Sequence, residues 1–343
     1  MLVSFIDESI PYDGHSPNSQ PLGGGEKAMA GLAAALARAG HTVRVFNRCA
    51  FPIVIDGVSW QPLDDCRAAQ SDWLIVHKDP RMLGRIADAK RRALLLSGSA
   101  EVLGDVRLEA LIKEFEPTLI FFGKAHSCSM PAALQSMASV SLELGVSEFY
   151  RKAAPMAPVN PPRALVTTHP GRGLDWLLDV WCEKIFPEIP WAELHIYSTV
   201  LERGALGATI PERLVPVFNK ARAAEAQGVR LKRPLGDAEM IDAYRQARVH
   251  LYPGSERDML CSTLAESQSV GLPCVVRPLG ATKERMRDGE SGYLAEDGDA
   301  FAAAAKALLL DTDIFNSFSE QARASQVNGN WDHAVSQLTQ VMV

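Results

Sequence analysis

Two acidic side chains separated by seven residues carry the clearest chemical signal in the sequence. Asp258 and Glu266 lie in YPGSERDMLCSTLAESQSVGLPCVV, residues 252–276. Both ends of this segment are predicted as apolar strand, and between them an irregular acidic stretch is followed by a short helix. A carboxylate held in such apolar surroundings could bind the hydroxyl groups of a ligand. The alternative is structural: if Thr263 is the N-cap of a helix, Glu266 is its third residue and TLAE is a capping box. The residues alone leave both interpretations open.

Main-chain amides near the two acids add a second kind of chemistry. Ser262 and Thr263 stand where the helix begins, and the unpaired N–H groups of a helix N-terminus bind anions such as phosphate. Ligands of parallel α/β sheets bind beyond the carboxyl ends of the strands. The sequence therefore predicts a site for an anionic, hydroxylated ligand, with amides for phosphate, one carboxylate for a ribose diol and the other for a sugar.

A glycine-rich segment near the N-terminus is the next candidate. Gly23, Gly24 and Gly25 follow the strand LVSFID and precede the helix EKAMAGLAAALARAG. Glycines let the main chain approach a phosphate at a helix N-terminus. The pattern is not G-x-G-x-x-G, so the dinucleotide fingerprint is absent. A tight strand–helix connection, in which Glu26 complements the helix dipole, explains the glycines equally well.

The elements that must position these residues alternate between strand and helix. Short apolar strands are predicted at LVSFID, HTVRVF, DWLIVH, RALLLSG, PTLIFFG, SVSLEL, RALVTTH, AELHIYS, VRLKRPL, VHLYP, PCVVRP and GYLAE. Helices are predicted between them, including one from Pro131 and one from Thr282. Continuous apolar strands between helices are typical of parallel sheets covered on both faces. We therefore predict the α/β class, with two Rossmann-like, doubly wound parallel-sheet domains.

The proline-rich segment KAAPMAPVNPPR, residues 152–163, predicts the boundary between these domains, because prolines exclude regular helix and central strand. This assigns residues 1–152 to the first domain and 153–329 to the second. A chain of 343 residues is long enough for two cores.

Composition excludes several classes of protein. Residues 1–150 contain 14 basic and 17 acidic side chains and so carry three of the six net negative charges; neither half suits a nucleic-acid partner. Six cysteines without a C-x-x-C pair predict neither disulfides nor a zinc site. No apolar run approaches the roughly 18 residues of a membrane span. We expect a soluble, cytoplasmic protein; Lys90, Arg91 and Arg92 are interpreted as solvated helix surface, with peripheral membrane contact left open.

Several segments resemble glycosyltransferase family 4, which has the GT-B fold. GGGEKAMAGLAAALARAGHTVRVF is similar to its GG-x-E…LA-x2-L-x3-GH-x-V-x-V opening, and GRGLDWLLDVW to its RGL-x2-LL segment. Asp258 and Glu266 resemble its E-x7-E pair, and ERMRDGESGYL its E-x4-G-x2-G-x-L segment. The resemblance covers most of the chain. It implies two domains facing a central cleft, with the helix at 330–343 returning to the first domain.

The resemblance also implies an activity and residue roles. The protein would transfer a sugar from a nucleotide-diphosphate sugar to an acceptor, with retention of anomeric configuration and without metal or cofactor. Glu266 would hold the ribose hydroxyls and Asp258 would face the transferred sugar. Arg172 would neutralise the diphosphate together with the amides of Ser262 and Thr263. A departing nucleoside diphosphate needs such fixed cationic and N–H partners.

Further implied roles lie elsewhere in the chain. Gly24 and Gly25 would approach the donor phosphates from the first domain. The family often adds a second basic residue after Arg172, and Lys232 or Arg233 could supply it.

The sequence departs from the family pattern at two places. The first acid is Asp258 instead of Glu, and the neighbouring Glu256 has the wrong spacing. The first domain often carries a histidine after an apolar strand. His126 and His77 both follow such strands, without the usual spacing, and we take His126 as the catalytic candidate.

Other functions are compatible with parts of the sequence. A nucleotide-sugar epimerase of the same fold, or a non-catalytic GT-B protein with a degenerate site, would share most of these features. An NAD-dependent oxidoreductase would need an acid after the second strand, where Asn47 and Arg48 stand. The sequence specifies neither the donor base and sugar, nor a glycan, lipid or small-molecule acceptor, nor the oligomeric state.

Overall fold

The computed structural model describes residues 1–326 and 329–342, and the chain forms two compact units. Unit 1 contains Met1–Ser147 and Gly329–Val343, and unit 2 contains Glu148–Asn328. The chain therefore passes from unit 1 to unit 2 after Ser147, five residues before the predicted boundary. The reason is a short helix at Glu148–Arg151, whose Tyr150 hydroxyl donates to Asp237 Oδ1 of unit 2 at 2.8 Å.

Unit 1 is built on an eight-stranded sheet with the order β3-β4-β2-β1-β5-β6-β7-β8. All pairs are parallel except β3 with β4. Numbered along the chain, its elements are β1 (Leu2–Ile6), α1 (Ser16–Ser19), α2 (Gly24–Arg38), β2 (Thr42–Asn47), β3 (Ile53–Ile55), β4 (Val58–Pro62), β5 (Gln70–His77), β6 (Asp88–Leu95), α3 (Val106–Phe115), β7 (Thr118–Phe122), α4 (Lys124–Cys128), β8 (Ser139–Leu142) and α13 (Trp331–Thr339).

The central strand β1 determines which polar residues of unit 1 meet. Ile6, its last residue, pairs with Phe46 of β2 and Val76 of β5. The residues that follow these partners therefore lie at one edge of the sheet. Asp7 and His77 come together there.

Unit 2 has a six-stranded, fully parallel sheet with the order β11-β10-β9-β12-β13-β14. Its elements are α5 (Glu148–Arg151), β9 (Arg163–Val166), α6 (Leu174–Val180), β10 (Glu193–Tyr197), α7 (Thr199–Ala205), α8 (Val215–Ala223), β11 (Val229–Lys232), α9 (Asp237–Arg245), β12 (Val249–Tyr252), α10 (Ser262–Val270), β13 (Cys274–Val276), β14 (Gly292–Leu294), α11 (Gly298–Leu310) and α12 (Thr312–Ser325). The predicted α/β class with two parallel-sheet domains is confirmed.

The strand order of unit 2 reverses at β9. From β9 the chain proceeds outward through β10 and β11, and then returns to the other side of β9 as β12. Ligands of open parallel sheets bind where the order reverses, beyond the carboxyl ends of the two strands. The loops after β9 and β12 carry Arg172 and Asp258.

Two predicted helices are only single turns. The segment after Pro131 forms a 3-10 turn at Ala132–Leu134, and the segment at Thr282 forms one at Thr282–Glu284. The Thr282 hydroxyl donates to the carbonyls of Arg277 and Leu279, at 2.9 and 2.8 Å. Such bonds from a side chain to the main chain compete with helix formation.

The basic cluster at residues 90–92 lies on β6, so its interpretation as solvated helix surface is wrong. Lys90 Nζ is 2.7 Å from Asp72 Oδ1, and the Arg91 guanidinium stacks over Trp73. Arg92 donates to main-chain carbonyls, including that of Leu83 at 3.0 Å. These side chains therefore have partners within unit 1. No helix among the described residues is long and apolar enough to cross a membrane.

Helix α13 packs against α2 through the indole of Trp331. A Cβ on Gly31 of α2 would collide with this ring, as would one on Gly145 before the crossing into unit 2. Arg38 of α2 adds an ion pair with Asp332, with Nη2 2.6 Å from Oδ1. The return of the chain to unit 1 therefore depends on small residues at two places.

We expect Gly31→Ala to destabilise unit 1. Alanine gains up to about 1 kcal/mol of helix propensity, but the collision with Trp331 costs about 1–3 kcal/mol, as overpacking does. Denaturant unfolding should show a net loss of about 1–2 kcal/mol. In a Trp331→Ala background the same substitution should stabilise, and destabilisation in both backgrounds would contradict this account.

Candidate functional site

The loop between β9 and α6 approaches the loop after β12 because of one glycine. Gly173 has φ +79°, and a Cβ there would lie 2.9 Å from the Cβ of Pro253 and 3.1 Å from the carbonyl oxygen of Gly254. Residues with a side chain rarely adopt this backbone conformation. Glycine therefore allows the contact, and the contact brings the preceding residue, Arg172, to the β12 loop.

Arg172 and Asp258 form an ion pair at this place. The distance from Nη1 to Oδ1 is 3.4 Å; the carboxylate is buried, whereas 44% of the arginine side chain is exposed. The exposed side of the arginine leaves this pair partly screened by solvent. The guanidinium carries five N–H donors, so most of them can still serve an anionic ligand.

The Asp258 carboxylate is fixed from the other side by the protein. Tyr252 donates to Oδ2 at 2.7 Å, and the Cys261 N–H donates to Oδ1 at 3.4 Å. Burial is the main cause that raises the pKa of Tyr252 well above its ordinary value, and the charges of Cys261 and then Asp258 add to it, so the tyrosine remains a donor. The main chain of Asp258 also accepts from Ala281 N–H at 2.9 Å. The carboxylate therefore keeps one orientation.

Helix α10 starts with Ser262, and its N-cap is Cys261 in the left-handed conformation, at φ 50°. The capping-box alternative is therefore wrong: Thr263 is the second helical residue and Glu266 the fifth, because the helix begins earlier than that box requires. No side chain caps this end. Within the described chain, the N–H groups of Ser262 and Thr263 have no acceptor, and they can bind an anion.

Glu266 lies about one turn further along α10, on the face that Ser262 and Thr263 share. Its side chain is buried, and Oε2 accepts from the Tyr244 hydroxyl of α9 at 3.3 Å. Burial and the charge of Glu266 raise the pKa of Tyr244 well above its ordinary value, which keeps this donor protonated. We call Arg172, Asp258, Ser262, Thr263 and Glu266 the unit 2 cluster.

A buried histidine connects the elements that carry the unit 2 cluster. His250 of β12 lies 2.8 Å from Ser267 Oγ of α10 through Nδ1, and 3.1 Å from Thr167 Oγ1, after β9, through Nε2. Burial lowers the pKa of His250 to about 3, so the ring is neutral, with one donor and one acceptor nitrogen. The chain Thr167–His250–Ser267 therefore holds β9, β12 and α10 in register.

The two candidates for a second basic residue lie at the end of β11 and directly after it. Lys232 ends β11, two strands from β9, which is roughly 10 Å across the sheet. Lys232 and Arg233 are both exposed. Arg277, directly after β13, stacks its guanidinium 4.4 Å from the ring centroid of Trp176.

Unit 1 has a separate group of polar side chains. His77 Nδ1 donates to Asp7 Oδ2 at 2.9 Å, and Tyr12 donates to the same oxygen at 2.8 Å. Burial alone would raise the pKa of Asp7, but the hydrogen bond and charge of His77 hold it well below its usual range. His77 Nε2 lies 3.1 Å from Ser97 Oγ. Sequence reasoning named His77 but not its partners, because Asp7 and Ser97 are distant from it in the chain.

The glycines lie beside this group. Gly24 and Gly25 are the first residues of α2, and a Cβ on Gly25 would lie 2.7 Å from both His77 Nε2 and Ser97 Oγ. The connection from β1 is long and contains α1, so it is not the tight turn considered above. Gly25 is therefore required for the packing of α2 against His77.

Glu26, in the first turn of α2, pairs with Lys78, with Oε1 2.8 Å from Nζ. Burial opposes its ionisation, but the charge and hydrogen bond of Lys78 lower the pKa of Glu26. Ligand atoms of Asp7, Glu26 and His77 lie within 4.8 Å of one another, as a cation would require. Lys78 already supplies the positive charge, and His77 donates to Asp7, so these residues fit a hydrogen-bond network better than a metal site.

His126 is a structural residue, which contradicts its selection as the catalytic candidate. The ring is fully buried; Nδ1 accepts from Phe122 N–H at 3.1 Å, and Nε2 donates to the carbonyl of Gly98 at 2.8 Å. Both nitrogens therefore bind main chain and connect β7 to the loop after β6.

Stability should depend on pH through His250. Its folded pKa is about 3, against an ordinary value of 6.5, so between these values the unfolded state binds a proton that the folded state does not. The free energy of unfolding should therefore rise with pH in this window, by up to about 1.4 kcal/mol per unit for this residue.

Denaturant unfolding at several pH values measures this contribution. His250→Asn should flatten the dependence below pH 6.5, whereas His15→Asn, at an exposed position, should leave it unchanged. An equal slope in His250→Asn and the unmodified protein would refute the assignment.

Comparisons with known proteins agree with this architecture. The family model "Glycosyl transferases group 1" matches residues 165–311. A D-inositol 3-phosphate glycosyltransferase from Acidothermus cellulolyticus is 32% identical over 145 residues, which are 40% of this chain and 31% of that protein. A phosphatidyl-myo-inositol mannosyltransferase from Mycobacterium leprae is 31% identical over 115 residues, 33% of this chain and 31% of the relative. The chain thus spans about a third of the length of these relatives.

Solved structures match over the whole chain. Sucrose-phosphate synthase from Thermosynechococcus elongatus has a TM-score of 0.72 at 14% identity, covering 99% of this chain and 97% of the other. Anabaena Alr3699/HepE, in complex with UDP and glucose, has a TM-score of 0.72 at 14% identity, covering 100% and 99%. At these identities the likeness shows the fold alone. Residues 165–311 therefore match the glycosyl transferases group 1 family, and the two units have the GT-B fold.

Proposed function

We propose that the chain transfers a sugar from a nucleotide-diphosphate sugar to an acceptor hydroxyl, with retention of anomeric configuration and without a metal ion or other cofactor. The observation that carries the proposal is the Arg172–Asp258 pair beside the open N-terminus of α10. A partly exposed cation, two unpaired amides and two oriented carboxylates are the groups that such a donor requires.

The diphosphate would bind to the positive part of the unit 2 cluster. Breaking the bond to the sugar leaves additional negative charge on the diphosphate, and fixed donors at that place lower the barrier. Arg172 offers guanidinium N–H groups, and Ser262 and Thr263 offer amides at the positive end of the α10 dipole. These groups neutralise the leaving group in the proposal.

The hydroxyl groups of the donor would bind to the two carboxylates. Glu266 follows the phosphate-binding amides by about one helical turn, and Tyr244 orients it, which suits the ribose diol. Asp258 faces the transferred sugar, held by Tyr252. Because Asp258 already accepts from Tyr252 and pairs with Arg172, it orients the sugar instead of attacking it.

Retention follows from the direction of attack in this proposal. The bond between the anomeric carbon and the diphosphate oxygen breaks, and the bond to the acceptor oxygen forms on the same face. The acceptor proton passes to the departing phosphate oxygen. No protein nucleophile takes part.

The names of similar proteins suggest the first substrates to test. One structural neighbour was solved with UDP and glucose, and several relatives are D-inositol 3-phosphate glycosyltransferases. We therefore propose UDP-sugars as donors and a phosphorylated polyol as acceptor.

We also propose a cytoplasmic location, since all six cysteines are free, as is typical of a reducing compartment.

A panel of uridine, guanosine, adenosine and thymidine diphosphate sugars tests the donor. The matching donor should stabilise the protein by about 2.7 kcal/mol at a hundredfold excess over its dissociation constant. With acceptor present, nuclear magnetic resonance of the product should show the anomeric configuration of the donor. An inverted product would exclude retention, an epimerised donor would identify an epimerase, and binding of no donor would indicate a degenerate site.

Substitutions in the unit 2 cluster test the residue roles. Arg172→Gln and Glu266→Gln should each lower kcat/KM about 10–100-fold, because each removes hydrogen bonds to a charged group, worth about 1.5–3 kcal/mol. Arg203→Gln, at an exposed position on α7, is the matched control and should retain activity. Release of nucleoside diphosphate and thermal melting are measured together. Wild-type turnover in both cluster variants would refute the assigned roles.

A further inference from the structure

A cavity of about 370 Å³ lies in unit 2, at the C-terminal end of α10. It is lined by Arg151, Ser269, Arg323, Ala324 and Gln326. These residues come from α5, from the last turn of α10, and from α12 and the residue after it. The nine residues of α10 span roughly 13 Å, so the cavity is separate from the amides of Ser262 and Thr263.

Two arginines line this cavity without an acidic partner. Within residues 1–326 and 329–342, neither Arg151 nor Arg323 forms an ion pair, and the Nε of Arg151 is buried without a hydrogen-bond acceptor. An unpaired buried donor is costly, and two like charges at one cavity repel each other. An anion in the cavity would remove the repulsion between the two guanidinium groups.

The arginine on α12 is held in place by the protein. Arg323 Nη1 donates to the carbonyl of Ala153 at 2.7 Å and to that of Val270 at 3.4 Å. One nitrogen of the guanidinium therefore fixes the side chain, and the remaining N–H groups are available to a ligand. An ordered guanidinium loses little entropy when it binds a phosphate.

The other lining groups and the volume indicate more than a bare ion. Ser269 is buried, and its hydroxyl donates to the carbonyl of Ala265 at 2.8 Å, so its oxygen can accept from a ligand hydroxyl. The amide of Gln326 can both donate and accept. The volume falls within the range of small-molecule pockets, about 300–1,000 Å³.

We propose that this cavity binds the phosphate monoester of a small hydroxylated molecule. The Arg151 and Arg323 guanidinium groups would hold the phosphate, since the planar arginine fork matches its oxygens. Ser269 and Gln326 would bind the hydroxyl groups of the remainder. The occupant contacts α10 at the end opposite to the unit 2 cluster, and its binding does not depend on the proposed transfer reaction.

Isothermal titration calorimetry with a hexose 6-phosphate tests the site in the full chain. The unmodified protein should bind it saturably, and Arg151→Gln should weaken binding about 10–100-fold, as expected for loss of charged hydrogen bonds. Arg323→Lys, which keeps the charge but not the fork, should also weaken it. Inorganic phosphate should bind more weakly than the ester.

Two controls separate this cavity from other anion sites. Arg172→Ala removes the cation of the unit 2 cluster, and Arg203→Gln removes an exposed arginine of the same unit; both should bind the ester normally. Loss of binding in Arg172→Ala with retention in Arg151→Gln would overturn the proposal, as would the absence of binding. Vesicles containing phosphatidic acid form the last arm: binding to them alone would overturn the small-molecule assignment.

Discussion

The site in unit 2 depends on the close approach of two loops at the point where the strand order reverses. Parallel pairing of β9 with β12 brings the loop origins together, and Gly173, in a conformation that residues with a side chain rarely adopt, lets the first loop contact Pro253 and Gly254. This contact places the loop that carries Arg172 beside the loop of Asp258, and the two side chains form an ion pair. Strand pairing and the close fit of one glycine therefore together place the cation and the carboxylate at one site.

The site in unit 2 also requires that helix α10 stays buried although it is rich in polar residues. Helix α10 has the sequence STLAESQSV, and its buried polar residues have partners: Glu266 with Tyr244, Ser267 with His250, and Gln268 with Ser291. Buried polar groups are tolerated only when they are hydrogen-bonded. The partners lie on different elements, so each hydrogen bond also fixes the helix in place. The amides at its first turn are thereby held ready for an anion.

What could be predicted from the sequence was local. Asp258 and Glu266 belong to one loop and the helix that follows, and alternating apolar strands were sufficient for the two parallel sheets. The choice between His126 and His77 was not local: the first binds the main chain of β7 and of residue 98, the second an aspartate 70 positions away. Likewise, α10 starts after Cys261 in the left-handed conformation, which residues with a side chain rarely adopt and which the sequence pattern therefore did not indicate.

The return of the chain to unit 1 determines the order in which the two units can be completed during translation. Unit 2 is continuous, whereas unit 1 lacks α13 until the ribosome has passed residue 339. At 5–20 residues per second, synthesis of unit 2 takes roughly 10–40 s. During that time the surfaces around Gly31 and Gly145 lack their packing partner, the indole of Trp331. Unit 1 therefore stays incomplete, with this surface uncovered by α13, while unit 2 is synthesised.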